Sequence, residues 1–222
     1  YTTHDITSFK NYKNGRGDIV REFVDAFRSR GIKVGFYYCF PGDFSKPPWG
    51  SAVPAGQADL HALPHEAEGD YAGFIKKQLS ELLSDYGPVD LLWIDQFTNK
   101  YTYPQWTEIY EHVKSLQPHC LVLGNNARDL MESDLISYEF PWKPELPPEG
   151  NILPAEVSDK LSPAWFWKTG DKPEAVRSAG EIVDLLKLCN ARNANYLLNI
   201  PPDKLGLIPD LYIERLREIG ML

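Results

Sequence analysis

Cysteine is scarce. Cys39, Cys120 and Cys189 are the only three, they lie far apart with no C-x-x-C spacing, and all sit in apolar segments. That pattern argues against a disulfide framework or a zinc site and reads as three small buried hydrophobes. Positive charge is also thin. Lys and Arg number 23 against 31 Asp and Glu, a formal net charge of -8, and no basic cluster is present to neutralise phosphates, which argues against a nucleic-acid partner. Hydrophobic runs are short, and none approaches the ~18 consecutive apolar residues of a bilayer-spanning helix. A glycine-rich phosphate fingerprint is missing as well, which removes the nucleotide-binding versions of an α/β fold. The chain opens Tyr1-Thr2-Thr3-His4, neither a start methionine nor a signal peptide, so it is expected to be a piece with sequence upstream of it.

What the chain has is material for a core. With 222 residues, 43% of them hydrophobic, it suits one ordinary domain or part of a β/α barrel. Ile19, Val20, Phe23, Val24 and Phe27 follow the i, i+3, i+4, i+7 spacing of an amphipathic helix over residues 16–30, stopped by Gly31. The run Val34-Gly35-Phe36-Tyr37-Tyr38-Cys39 is continuous rather than alternating, as expected of a parallel strand buried on both faces. A loop rich in Pro and Gly covers 41–64, a helix is predicted over 71–86, and Gly87-Pro88 breaks it. Further strands are predicted at 89–94, 120–123, 135–140, 163–167 and 195–200, with helices at 104–116, 175–189 and 209–219. Strands alternating with helices indicate repeated βαβ units and a parallel sheet. The expected architecture is a (β/α)8-type TIM-like barrel in one domain, residues 1–222. The strands fall short of eight, so it is expected to be incomplete at its N-terminus, holding about the last five or six strands.

In parallel barrels the chemistry sits where strands end at their carboxyl side. Asp95 closes Leu91-Leu92-Trp93-Ile94-Asp95-Gln96, where a carboxylate would face the barrel mouth. Glu139 ends Leu135-Ile136-Ser137-Tyr138-Glu139, and the aromatic residues around it would disfavour its charged form, as a general acid requires. Glu156, in Pro154-Ala155-Glu156-Val157-Ser158-Asp159, precedes the cluster Trp165-Phe166-Trp167. Each has a plainer reading beside it, a helix cap or turn residue for Asp95 and a salt-bridged strand end for Glu139. Two carboxylates on different strand ends suit a glycosidase, in which one attacks and the other shuttles a proton. Sugar rings pack their apolar faces on aromatic rings, so Tyr37, Tyr38, Trp93, Trp165 and Trp167 are candidate pocket walls. Arg128, after Gly124-Asn125-Asn126, is a candidate for orienting a carboxylate or hydroxyl. This chemistry needs neither a metal nor an organic cofactor.

Three ordered segments carry a family resemblance. Gly17-Asp18-Ile19-Val20-Arg21-Glu22-Phe23 with Gly31-Ile32-Lys33-Val34-Gly35-Phe36-Tyr37-Tyr38 is the first. Gln78 to Asp95, which includes Asp85-Tyr86-Gly87-Pro88-Val89-Asp90-Leu91-Leu92-Trp93-Ile94-Asp95, is the second, and Asn195 to Pro209, which opens Asn195-Tyr196-Leu197-Leu198-Asn199-Ile200-Pro201-Pro202-Asp203, is the third. Together they resemble the α-L-fucosidases of glycoside hydrolase family 29, over nearly the whole chain. The resemblance implies a retaining double displacement that releases α-L-fucose, with Asp95 as nucleophile because the family's nucleophile ends an equivalent Trp-x-Asp strand. It implies Glu139 as acid/base, with Glu156 as the alternative. It also implies a fucosylated oligosaccharide or glycoconjugate as partner, a secreted or periplasmic location and no membrane insertion. Two departures stand out: the family's His-His pair lies upstream of the region matching residues 1–9, and Gln96 stands where a glycine commonly follows the nucleophile. Two other readings stay open, a catalytically silent barrel that binds fucosylated glycans and a hydrolase of another sugar such as α-L-galactose.

Overall fold

A parallel strand turns successive side chains to opposite faces, so an apolar run can pack helices on one face and present different groups on the other. The computed structural model describes residues 12–39, 71–95, 103–125, 133–170 and 172–222. The chain divides into two compact units, Tyr1–Asn125 with Met131–Asp134, and Asn126–Leu130 with Leu135–Leu222. Each unit is an α/β arrangement around a three-stranded parallel sheet.

In the first unit the strands are β1 (Gly35–Cys39), β2 (Leu91–Asp95) and β3 (Leu121–Gly124), in the order β1-β2-β3. The helices are α1 (Ile19–Arg28), α2 (Tyr71–Asp85) and α3 (Tyr103–Leu116). One core joins Ile75, Leu79 and Leu83 of α2 and Ile109 and Val113 of α3 to Tyr38, Leu92, Ile94 and Val122 of the sheet. The opposite face carries Tyr37, Trp93 and Asp95. The register sets Tyr37 beside Trp93 and Cys39 beside Asp95.

Side chains fix the ends of these elements. Asp18 caps α1 by accepting from the Arg21 backbone N–H at 2.9 Å, and its other oxygen accepts from the Tyr86 hydroxyl at 3.0 Å. Burial and that carboxylate push the Tyr86 phenol up to about 12. Gly87 has φ +75°, and a Cβ there would meet the Arg28 guanidinium at 2.9 Å; Arg28 donates to the Tyr86 and Pro88 carbonyls on either side. Asp134 bonds to β3 at Val122: its N–H donates to the Val122 carbonyl at 2.8 Å and its carboxylate accepts from the Val122 N–H at 2.7 Å. The predicted apolar stripe of α1 is only partly buried: Val24 is enclosed, whereas Phe23 and Phe27 contact each other at 4.5 Å and remain exposed.

In the second unit the strands are β4 (Ile136–Glu139), β5 (Ala155–Lys160) and β6 (Ala194–Asn199), in the order β4-β5-β6, followed or linked by α4 (Ala179–Ala191) and α5 (Asp210–Ile219). Ser178 opens α4 with a capping box closed by Glu181. Ile136, Ala155, Val157 and Ala194 pack with Cys189 of α4, and Leu161, Ile182 and Tyr212 form a second cluster. Asp159, 3% exposed, lies among them. It forms an ion pair with Arg177 and accepts from the Tyr196 hydroxyl at 2.7 Å, tying β5, β6 and the segment before α4 together.

Five of the six strands expected from sequence form within two residues of their anticipated ends. The exception is the strand expected at 163–167, which is a bend; the strand lies earlier, at Ala155–Lys160. Pro163 has no N–H to give a ladder. In Ala155-Glu156-Val157-Ser158-Asp159 the polar half of the alternation breaks the apolar run that the sequence signal depends on. Among the described residues no helix is long and apolar enough to cross a membrane.

Asp159→Ala leaves the partly buried Arg177 guanidinium and Tyr196 hydroxyl without their carboxylate, and should cost about 1.5–3 kcal/mol of stability. Equilibrium urea unfolding of the variant beside the parent chain measures it.

Candidate active site

Asp95 is the last residue of β2, on the face away from the helices, so its carboxylate projects from the carboxyl end of the sheet. Tyr37 and Asn125 are among the residues that hold it. The Tyr37 hydroxyl donates to Oδ2 at 2.6 Å, and the Asn125 amide donates to Oδ1 at 2.9 Å. Tyr37 comes from β1, and Asn125 follows β3 directly, with its own N–H donating to the Ile94 carbonyl at 2.8 Å. All three strands of the unit therefore converge on one carboxylate, and a bond to each oxygen fixes the plane of the group. Desolvation of its hydroxyl end, which lies against Asp95 although the residue as a whole is exposed, and the hydrogen bond to that carboxylate hold the Tyr37 phenol protonated well above the usual tyrosine range. Its ring stacks on Trp93, centroids 5.4 Å apart and planes 22° apart. Trp93 is the buried floor of that stack, while Tyr37 is 63% exposed.

Tyr38 is not a wall of this site. It points to the helix face, is 4% exposed, and donates its hydroxyl to the Gln78 side chain of α2 at 2.6 Å. Strand alternation separates it from its neighbour Tyr37. Arg128 lies outside the described residues.

In the second unit, Ile136, Tyr138, Val157 and Tyr196 face the helices and leave a polar row on the other face: Ser137 and Glu139 on β4, Glu156 and Ser158 on β5, Asn195 on β6. Glu139 ends its strand and is partly exposed. Glu156 is the second residue of β5, towards the amino end, is 2% exposed, and accepts from the Asn195 amide at 2.8 Å. The two glutamates share a face, one row apart in register: Glu156 is beside Ser137, and Glu139 beside Ser158. Trp165 and Trp167 line a cleft of about 410 Å³ with Phe166, Asn199, Pro201 and Lys204, beyond the carboxyl ends of β5 and β6. The Asn199 amide holds the Trp165 carbonyl at 2.8 Å, which fixes the aromatic loop to the end of β6. Among the described residues no group of three His, Cys, Asp or Glu is placed to hold a metal ion.

Asn125 is the principal residue that sequence reasoning passed over. Its signal was its place directly after an apolar strand, yet Gly-Asn-Asn there reads as a turn.

The family model described as Alpha-L-fucosidase matches residues 2–222. Among curated proteins, alpha-L-fucosidase 1 of Arabidopsis thaliana is 25% identical over 247 residues, an alignment that spans 99% of this chain and 44% of that protein. Among solved structures, alpha-L-fucosidase isoenzyme 1 from Paenibacillus thiaminolyticus is 29% identical with a TM-score of 0.75, over 99% of this chain and 55% of that one. Alpha-L-fucosidase AlfC from Lactobacillus casei is 25% identical with a TM-score of 0.71, over 92% of this chain and 64% of that one. A mutant of AlfC, also 25% identical to this chain, is described in complex with 4-nitrophenyl α-L-fucopyranoside. The chain thus spans under half the length of the curated relatives it matches.

Asp95→Asn removes the negative charge that opposes a phenolate at Tyr37. In an alkaline absorbance titration one tyrosine should therefore ionise at lower pH than in the parent, and that tyrosine should be absent when Tyr37→Phe is added. Desolvation of the hydroxyl remains, so the displacement is partial.

Proposed function

The chain belongs to the alpha-L-fucosidase family, and on that premise we propose that it carries the catalytic carboxylates of a retaining glycoside hydrolase releasing α-L-fucose from fucosylated oligosaccharides or glycoconjugates. The observation that carries this reading is the fixed carboxylate of Asp95 at the end of β2, held by Tyr37 and Asn125. A nucleophile must meet the anomeric carbon along a narrow approach, and a carboxylate with both oxygens engaged loses the rotation that would spoil it. The parallel β/α alternation supports assigning residues 1–222 to one incomplete (β/α)8-type barrel domain. The AlfC mutant complex with an aryl fucoside supports the choice of sugar.

Glu139 is our acid/base, ahead of Glu156. It stands at the carboxyl end of its strand and is partly exposed, as a proton donor to a departing oxygen must be. Glu156 is enclosed near the amino end of β5 and already engaged by Asn195. In the first step an Asp95 oxygen bonds to the anomeric carbon as the glycosidic C–O bond breaks, and the Glu139 proton passes to the departing oxygen. In the second, water attacks the same carbon, gives its proton to Glu139 and releases Asp95. Two inversions leave the configuration retained. Tyr37, backed by Trp93, offers an apolar face for a sugar ring in the first unit, and Trp165 and Trp167 do so in the second.

Asp95→Ala should lower turnover of an aryl α-L-fucoside by several orders of magnitude, since the covalent step has no substitute. Steady-state assay of the variant decides it, and turnover within about tenfold of the parent would remove Asp95 from the role. Glu139→Ala should lose most on poor leaving groups and recover in part with azide, which needs no base. Recovery in Glu156→Ala alone would move the role to that residue, and release of α-L-galactose in preference to α-L-fucose would change the substrate.

A further inference from the structure

Ser158 is 4% exposed, and among the described residues its hydroxyl has no hydrogen-bond partner. The other two buried polar atoms in that condition belong to Arg192 and Arg215, whose guanidinium groups donate through other nitrogens. The hydroxyl of Ser158 therefore stands apart. An enclosed, unpaired hydroxyl lowers stability relative to the alanine that would fit the same space. Its retention calls for a partner that becomes available at some stage of the protein's work.

The register identifies that partner. Ser158 lies directly beside Glu139 on β4 and beside Leu197 on β6, with Glu156 two residues earlier on the same face. Leu197 cannot bond to it, and the Glu156 carboxylate is engaged by Asn195. The nearest group in the row that changes its hydrogen-bonding character during a reaction is the carboxyl group of Glu139.

We propose that Ser158 is a positioning residue for Glu139, an inference that rests on the reading of Glu139 as acid/base. A hydroxyl both donates and accepts. When Glu139 has passed its proton to the departing oxygen, the Ser158 O–H donates to the new carboxylate. When water returns a proton to Glu139, that proton rests on the oxygen facing the sugar, and the Ser158 O–H goes on donating to the other oxygen. No atom is gained or lost in this exchange, and the carboxyl group keeps one orientation through both steps.

The test uses Ser158→Ala and Ser158→Thr in the full chain, assayed on aryl α-L-fucosides with a good and a poor leaving group. For Ser158→Ala we expect a melting temperature equal to or above the parent's, together with a roughly tenfold fall in kcat/KM on the poor leaving group. The fall on the good leaving group should stay within about twofold, because that step needs little proton donation. Ser158→Thr keeps the hydroxyl on a residue suited to a strand and should restore the lost rate. Unchanged kinetics in Ser158→Ala, or an equal loss on both substrates with a lowered melting temperature, overturns the proposal. Glu139→Ala with azide separates the two levels: rescue there with a silent Ser158→Ala defeats only this inference, whereas no rescue defeats the reading beneath it.

Discussion

The alternation of side chains along a parallel strand is the constraint on which everything else here depends. In both units the helices claim one face of a three-stranded sheet with Leu92, Ile94 and Val122, or with Ile136, Val157 and Ala194. The chain is then left with a second face that need not be apolar. On that face stand Tyr37, Trp93 and Asp95 in the first unit, and Ser137, Glu139, Glu156, Ser158 and Asn195 in the second. Stability and chemistry are sorted by the parity of sequence position. Asp159 illustrates the sorting from the other side: one residue from Ser158, it faces the helices and spends its charge on Arg177 and Tyr196.

Much of this architecture is legible in the sequence because helix-facing residues dominate the strands. Leu91-Leu92-Trp93-Ile94 reads as a strand whichever face each residue takes, and Gly87-Pro88 announces its start. Where the free face is polar, the same logic fails. Ala155-Glu156-Val157-Ser158-Asp159-Lys160 carries four polar side chains in six positions, so the aromatic stretch after it attracted the strand assignment. Tyr37 and Tyr38 show a related blindness. In a continuous apolar run the phase of the alternation is not marked, so both neighbours were drawn to the site when only one can face it.

Partners distant in sequence were invisible for a different reason. Asn125 is 30 residues from Asp95, and Tyr196 is 37 residues from Asp159; no local spacing rule links such pairs. They meet because strand register brings them together, and register is a property of paired segments. Asp95 and Glu139 stand at strand ends in the sequence pattern and in the structure alike, while the groups that hold Asp95 carry no such mark.

The bond from Tyr37 to Asp95 joins residues 58 positions apart, and neither can reach the other until β1 and β2 have zipped into parallel pairing. Helix turns form from neighbours and close in microseconds or less, whereas a contact of such long loop span must await the pairing of two distant strands. The geometry of the candidate nucleophile is therefore a product of strand pairing and is lost wherever β1 and β2 come apart, even if every helix of the unit stays wound.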